Sequence, residues 1–201
     1  MIPASEALER LRDGNSRFLS GHSNIDESLS AMKRVQLVDG QSPFAIILAC
    51  SDSRVPVELV FDQGLGDLFV IRVAGNIVAP SQVSSVEFAA AQLGTRLVVV
   101  LGHSNCSAVE ATLKELQREQ AHRSPNLRAI VDRIRPAIEP LLEKNGDIPL
   151  NDAVTANVRH AVDRLRHGSQ LLEDLTAAEK LTIDGAEYSI ERGKVEFLGS
   201  P

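Results

Sequence analysis

Three short apolar runs stand out in the first half of the chain, at 44–49, 68–73 and 97–101, each rich in Ile, Val, Leu or Phe. None shows the strict alternation of a half-buried strand, so they predict strands covered on both faces, as in a parallel sheet. Between the second and third runs, residues 81–93 place Val86, Ala89, Ala90 and Leu93 at i, i+3, i+4 and i+7, the stripe of a helix packed on a sheet. Strand, helix and strand in that order make a βαβ unit, and hence parallel strands.

Helical periodicity also covers 5–19, with Ser5 as the expected N-cap, apolar positions at Leu8, Leu11 and Phe18, and an interruption at Gly14. It predicts a helical arm ahead of the core, within residues 1–35; the polar stretch 20–43, ending in Ser-Pro, reads as a connection. Two further helical patterns run over 105–119 and 126–144, and Pro136 and Pro140 are expected to break or kink the second. Asn151 is the expected cap of another helix, whose Val154, Val158, Val162 and Leu165 share one face. In the tail, 181–183, 188–191 and 195–198 predict short strands, the last two joined across Arg192-Gly193 as a hairpin. The expected fold is α/β: a mostly parallel central sheet flanked by helices, with an N-terminal helical arm and a C-terminal β-hairpin. A length of 201 residues suits a single domain spanning 1–201.

Composition narrows the function. A net charge of −6 and a pI near 5.4 argue against a nucleic-acid or anionic-membrane surface, and 3% aromatic residues with no Trp argue against base-stacking platforms. No secretory leader and no membrane-length apolar run is found, so a cytoplasmic location is expected. In a reducing compartment, two cysteines lying beside Asp, Arg and His read as metal-binding or catalytic rather than as a disulfide.

Cys50-Ser51-Asp52-Ser53-Arg54 follows the first buried run directly, and Gly102-His103-Ser104-Asn105-Cys106 follows the third. In open parallel sheets, sites gather beyond the carboxyl ends of strands, so Cys50, His103 and Cys106 can converge. Two thiolates and an imidazole form a three-ligand set that leaves zinc a fourth, open position. Asp52 is the nearby candidate for a fourth ligand, but Arg54 two positions on suggests a carboxylate held in an ion pair. Cys106 opens a predicted helix, whose dipole favours the thiolate. Other features have plainer readings: Gly64-Leu65-Gly66 as a turn, His22, His122, His160 and His167 as solvated surface, and the charges of 115–119 as an exposed helix face.

With these residues in place, the sequence closely resembles the β-class carbonic anhydrases. Their C-x-D-x-R element is present as Cys50, Asp52 and Arg54, and their H-x-x-C element as His103 and Cys106, in the same order and separated by a βαβ unit. The likeness extends to Gly14-Asn15-x-Arg17-Phe18, to Gly66-Asp67-Leu68-Phe69-Val70 through Ala74-Gly75-Asn76, and to the closing hairpin. The resemblance implies a lyase with one zinc per chain, in which zinc-bound hydroxide attacks carbon dioxide, Asp52 orients it and Arg54 holds Asp52. It also implies that Gln63, in Phe61-Asp62-Gln63-Gly64, binds substrate. It further implies a homodimer or homotetramer, with the pocket at the subunit interface and the N-terminal helix reaching over the neighbour. Two positions depart from the family: Ser107 replaces a common Gly after the second cysteine, and Ile47 stands where the bicarbonate-inhibited branch carries Trp. The alternatives are a carbon disulfide or carbonyl sulfide hydrolase on the same scaffold, and a non-catalytic zinc-binding homologue, which would not need Asp52 and Arg54.

Overall fold

The computed structural model describes residues 2–23, 31–118 and 124–199. At its centre lies a sheet of β1 (Ala45–Ala49), β2 (Leu68–Arg72), β3 (Leu97–His103), β4 (Thr182–Tyr188) and β5 (Val195–Phe197), in the order β2-β1-β3-β4-β5. All neighbouring pairs are parallel except β4–β5, which is antiparallel. The helices described are α1 (Ala4–Ser20), α2 (Ala31–Gln36), α3 (Val57–Val60), α4 (Pro80–Gln92), α5 (Ser107–Arg118), α6 (Pro125–Asn145), α7 (Leu150–His167) and α8 (Gln170–Ala177).

Every residue of β1 and β3 is buried, as their unbroken apolar runs require. The pleat sorts their side chains. Ala45, Ile47, Ala49, Leu97, Val99 and Leu101 share a core with Ala7 and Leu11 of α1 and with Val57, Val60 and Phe61. On the opposite face Ile46, Leu48, Val98 and Val100 meet α4, α7 and α8 through Val86, Ala89, Val158, Leu165 and Leu172. Each such Ile, Leu or Val contributes about 1.5–3 kcal/mol by leaving water. Gly102 and Gly185, on neighbouring strands, let α7 approach closely: a Cβ on either would lie 2.4 or 2.8 Å from a Val158 methyl. Past the strand ends, α5 and α6 form a third cluster, which includes Cys50, Cys106, Val109, Ile134 and Ile138.

The α/β class, the mostly parallel sheet and the flanking helices agree with expectation, but several details differ. α1 begins one residue before Ser5, because the Pro3 carbonyl accepts the first helical bond from Ala7; Pro3 is the N-cap, and Ser5 caps nothing. Gly14 does not interrupt the helix. It is the point of closest approach to the turn after α3, where a Cβ would sit 1.8 Å from the Phe61 carbonyl oxygen. Through Ala7 and Leu11, α1 joins the core of its own chain. Asn151 likewise lies inside α7, whose N-cap is Pro149, and α6 runs unbroken through Pro136 and Pro140. The strand expected at 181–183 runs on through Asp184-Gly185 to Tyr188 as β4, and the strand expected at 188–191 does not form: beyond Tyr188, residues 189–191 lie in the turn. The hairpin therefore pairs Tyr188 with Val195, and its turn is wider than Arg192-Gly193. α2, which lies inside the stretch 20–43 expected as a connection, and α3 and α8 were not anticipated.

Glu115 is buried rather than on an exposed face, with Arg135 at 3.8 Å, and Glu119 lies outside the described residues. His160 is half-buried and lines a cavity of about 810 Å³ between α4, α6 and α7; burial, then Arg164, lowers its pKa. His22 and His167 are exposed, and His122 lies outside the described residues. The Gly64-Leu65-Gly66 stretch is a turn, closed by a bond from Asp67 N–H to the Gly64 carbonyl.

Candidate metal centre

Parallel register brings the candidate ligands together. Ala49 of β1 lies opposite Leu101 of β3, so Cys50 leaves the sheet beside the last two residues of β3, Gly102 and His103. The bend at Ser104-Asn105, with Asn105 at φ +56°, then returns the chain so that Cys106 stands just before α5. The three ligand atoms lie within 4.8 Å of one another, and all three residues are buried. The two sulfurs are 4.0 Å apart. Two thiolates on one tetrahedral zinc, each at about 2.3 Å, stand roughly 3.8 Å apart. The cluster is thus close to the spacing such an ion needs.

Chemistry as well as spacing fits a metal. His103 Nε2 is buried with no hydrogen-bond partner, a vacancy that costs about 1–3 kcal/mol unless a ligand fills it. The other ring nitrogen, Nδ1, lies 2.9 Å from the Ser104 carbonyl oxygen, which can only accept, so the free lone pair is on Nε2. Cys50 is pulled down to about 4, first by the hydrogen bond from Cys106, against burial, and then by His103 and the Gly75 N–H. Cys106 is pushed far up by Cys50 and by burial. Removing the second proton therefore calls for a positive charge between the sulfurs, which a metal dication supplies. Burial opposes the charged form of His103, but the Cys50 sulfur beside it outweighs this and raises its pKa.

Asp52 sits at the rim. Its Oδ1 accepts from Arg54 N and Nε at 3.0 and 2.9 Å, and its Oδ2 from Arg54 Nη2 at 2.7 Å. Arg54 Nη2 also donates to the Asn105 carbonyl at 3.1 Å, tying the first motif to the second. The guanidinium holds the Asp52 carboxyl well below the usual carboxylate range, and the carboxylate raises Arg54 in return. Asp52 Oδ2 is 3.9 Å from His103 Nε2, so the carboxylate borders the cluster without bonding to it.

Gln63 is buried beside α1. Its Nε2 donates to the Phe61 carbonyl at 2.8 Å, a bond within its own turn rather than to the cluster. Ser107 is exposed, so its side chain adds nothing to the cluster, and Ile47 is fully buried in the α1-side core. Two supports were missed by reading the sequence. Arg72, the one charge in the second apolar run, bonds the carbonyls of Cys50 and Asp52 at 3.1 and 2.6 Å and so fixes the motif backbone. Gly75, at φ +70°, aims its N–H at Cys50 Sγ from 3.3 Å, while Asn157 of α7 holds its carbonyl at 2.9 Å. The break in apolar character marked Arg72; nothing local marked Asn157.

Comparison with known proteins gives a consistent picture. A family model described as carbonic anhydrase matches residues 45–195. The carbonic anhydrase of Mycolicibacterium smegmatis is 38% identical over 95% of this chain and 91% of its own, and carbonic anhydrase 2 of Mycobacterium tuberculosis is 35% identical over 94% and 89%. Among solved structures, the β-carbonic anhydrase CcaA superposes with a TM-score of 0.76 at 26% identity, covering 98% of this chain and 90% of that one. The Coccomyxa β-carbonic anhydrase in complex with acetazolamide shares the fold, with a TM-score of 0.73 at 23% identity and coverage of 100% and 88%.

Proposed function

Because this chain belongs to the β-carbonic anhydrase family, we propose that it hydrates carbon dioxide reversibly to bicarbonate and a proton, as a single domain with one zinc held by Cys50, His103 and Cys106. The observation that carries this reading is the buried Cys-His-Cys cluster with an Arg54-locked carboxylate at its rim. Bound there, zinc acts as a Lewis acid and lowers the pKa of a coordinated water, so that a nucleophile forms under mild conditions.

The chain's own residues do the rest. His103 presents the Nε2 lone pair because Nδ1 is engaged by Ser104. Asp52 is ionised and can only accept, so with both oxygens directed by Arg54 it would orient a water or hydroxide held at the cluster by accepting its hydrogen. Arg54 holds Asp52 in this rim position, where it would leave the fourth position of a metal open. Gln63 retains an amide N–H and a carbonyl oxygen beyond its bond to Phe61 and binds substrate through them. Hydration by zinc-quantified protein tests the proposal, with carbonyl sulfide and carbon disulfide hydrolysis measured alongside; hydrolysis without hydration would favour the alternative enzyme.

Ligand charge sets the pH range. In the carbonic anhydrases built on three neutral histidines, the established case, zinc brings water to a pKa of about 7. Here the thiolates of Cys50 and Cys106 would offset more of a bound zinc's charge, so a water held there would be less acidic. Turnover is expected to rise through the mildly alkaline range and to be low at and below neutrality; a flat profile from mildly acidic to alkaline pH would contradict this.

A homo-oligomer, dimer or tetramer, is also proposed. β2 is an edge strand with no partner on its outer side among the described residues, and its Leu68–Arg72 run is half-exposed. Phe88 of α4, whose ring lies tilted against that of Phe69 with centroids 6.3 Å apart, is exposed beside it. Open apolar edges of this kind are normally covered. Light scattering should give at least twice the 21.8 kDa chain mass, and a fully active monomer would contradict this. No described helix is long and apolar enough to cross a membrane, and a thiol-based site suits the reducing cytoplasm.

A further inference from the structure

We propose that Ser104 and the turn of the C-terminal hairpin are positioning elements for His103, which set the direction of its imidazole and its affinity for the metal. The inference rests on the ligand assignment made above and extends it to residues remote in sequence. The Ser104 carbonyl accepts from His103 Nδ1 at 2.9 Å, and its aim depends on the peptide plane between Ser104 and Asn105. That plane leads into Asn105, whose φ of +56° is left-handed and sparsely populated, so the bend does not hold itself.

Two bonds hold Ser104 from outside the bend. Its N–H donates to the Tyr188 carbonyl at 3.0 Å, which extends the β3–β4 ladder by one residue. Its Oγ accepts from the Ile190 N–H at 3.0 Å, in the turn between β4 and β5. That turn is itself closed, by bonds from Ser189 N to the Lys194 carbonyl and from Gly193 N to the Ser189 carbonyl, each 2.8 Å. Asn15 of α1, which is buried, clamps its far side: Oδ1 accepts from Val195 N at 2.9 Å, and Nδ2 donates to the carbonyls of Gly193 and Val60 at 3.0 Å each. A continuous set of hydrogen bonds therefore runs from α1 through the hairpin turn and Ser104 to the ring of His103. Metal-bound imidazoles held through their second nitrogen typically lose about 10–100-fold in metal affinity when that support is removed.

The test is zinc affinity, measured by chelator competition on the full chain. Ser104→Ala deletes the hydroxyl and strands the Ile190 N–H, and it should bind zinc about tenfold more weakly while still reaching one zinc per chain at saturation. Ser104→Thr restores an oxygen at the same place and should recover most of that loss. Nitrogen-15 spectra of the zinc-loaded wild type should show the His103 proton on Nδ1. Wild-type affinity in Ser104→Ala, even with a lower Tm, would overturn the proposal, as would a Thr variant no tighter than Ala or a proton found on Nε2. Zinc retained in full by Cys106→Ser would instead remove the ligand assignment itself, and this inference with it.

Discussion

Cys106→Ser is expected to lose nearly all its zinc, and its hydration activity with it. Serine preserves the shape at the start of α5 but offers a hydroxyl that stays protonated where the site needs an anionic sulfur. Structural zinc sites bind with about 12 kcal/mol, so one ligand of four is worth roughly 3 kcal/mol, or about a hundredfold in affinity. The buried environment adds to the loss. Cys106 is 1% exposed and water cannot readily take its place, so the remaining thiolate and imidazole would face the ion with a gap on one side. The fold should survive, because the chain around Cys106 is held by α5 and by the neighbouring Val109 and Ile134 of the third core cluster. Metal analysis after dialysis against a mild chelator checks this: well under one tenth of a zinc per chain is expected. Full occupancy would mean that Cys106 is not a ligand.

Asp52→Asn should separate metal binding from turnover. Asparagine fits the same space, but its amide nitrogen cannot accept the Arg54 Nη2 donor that now lies 2.7 Å from Oδ2. The site would lose a directed anion while its three candidate ligands stay untouched. Zinc content should remain near one per chain, and kcat should fall about 100- to 1000-fold, the usual cost of removing one preorganised polar group that acts on the reacting atoms.

The direction of the Asp52 shift shows why this is not a pH effect. Its folded pKa lies below the ordinary carboxylate value of about 3.9. The stability it contributes is therefore complete above that value and is lost only as pH falls through the folded pKa. Asp52 stays ionised throughout the range in which hydration is measured. The alkaline rise of the wild type should accordingly keep its position in Asp52→Asn while its plateau drops. Near-normal kcat with full zinc would make Asp52 and Arg54 a structural ion pair.

The parts of the molecule that could be read from sequence were those where one physical demand dominates. β1 and β3 are buried on both faces, and nothing but an unbroken apolar run satisfies that; the candidate ligands follow because each lies within five residues of such a strand end. Helix starts were misplaced where a capping side chain competed with proline. Pro3 and Pro149 are the N-caps of α1 and α7, and proline's fixed φ made those starts without help from Ser5 or Asn151. The apolar run of β4 is broken in the sequence by Asp184, Gly185 and Glu187, yet Gly185 is there to admit Val158 of α7, a requirement visible only in three dimensions. α3, at 4 residues, is too short to show a period. Arg72, Asn157 and Asn15 serve the site or its surroundings from distant points in the chain, and no local pattern announces a hydrogen bond to a remote carbonyl.

The most direct test of the central claim is stopped-flow hydration of carbon dioxide at mildly alkaline pH, followed as zinc is added back to metal-free wild-type protein. The rate should climb in proportion to bound zinc and level off at one zinc per chain. Protein that carries one zinc on Cys50, His103 and Cys106, yet hydrates carbon dioxide no faster than buffer, would contradict it.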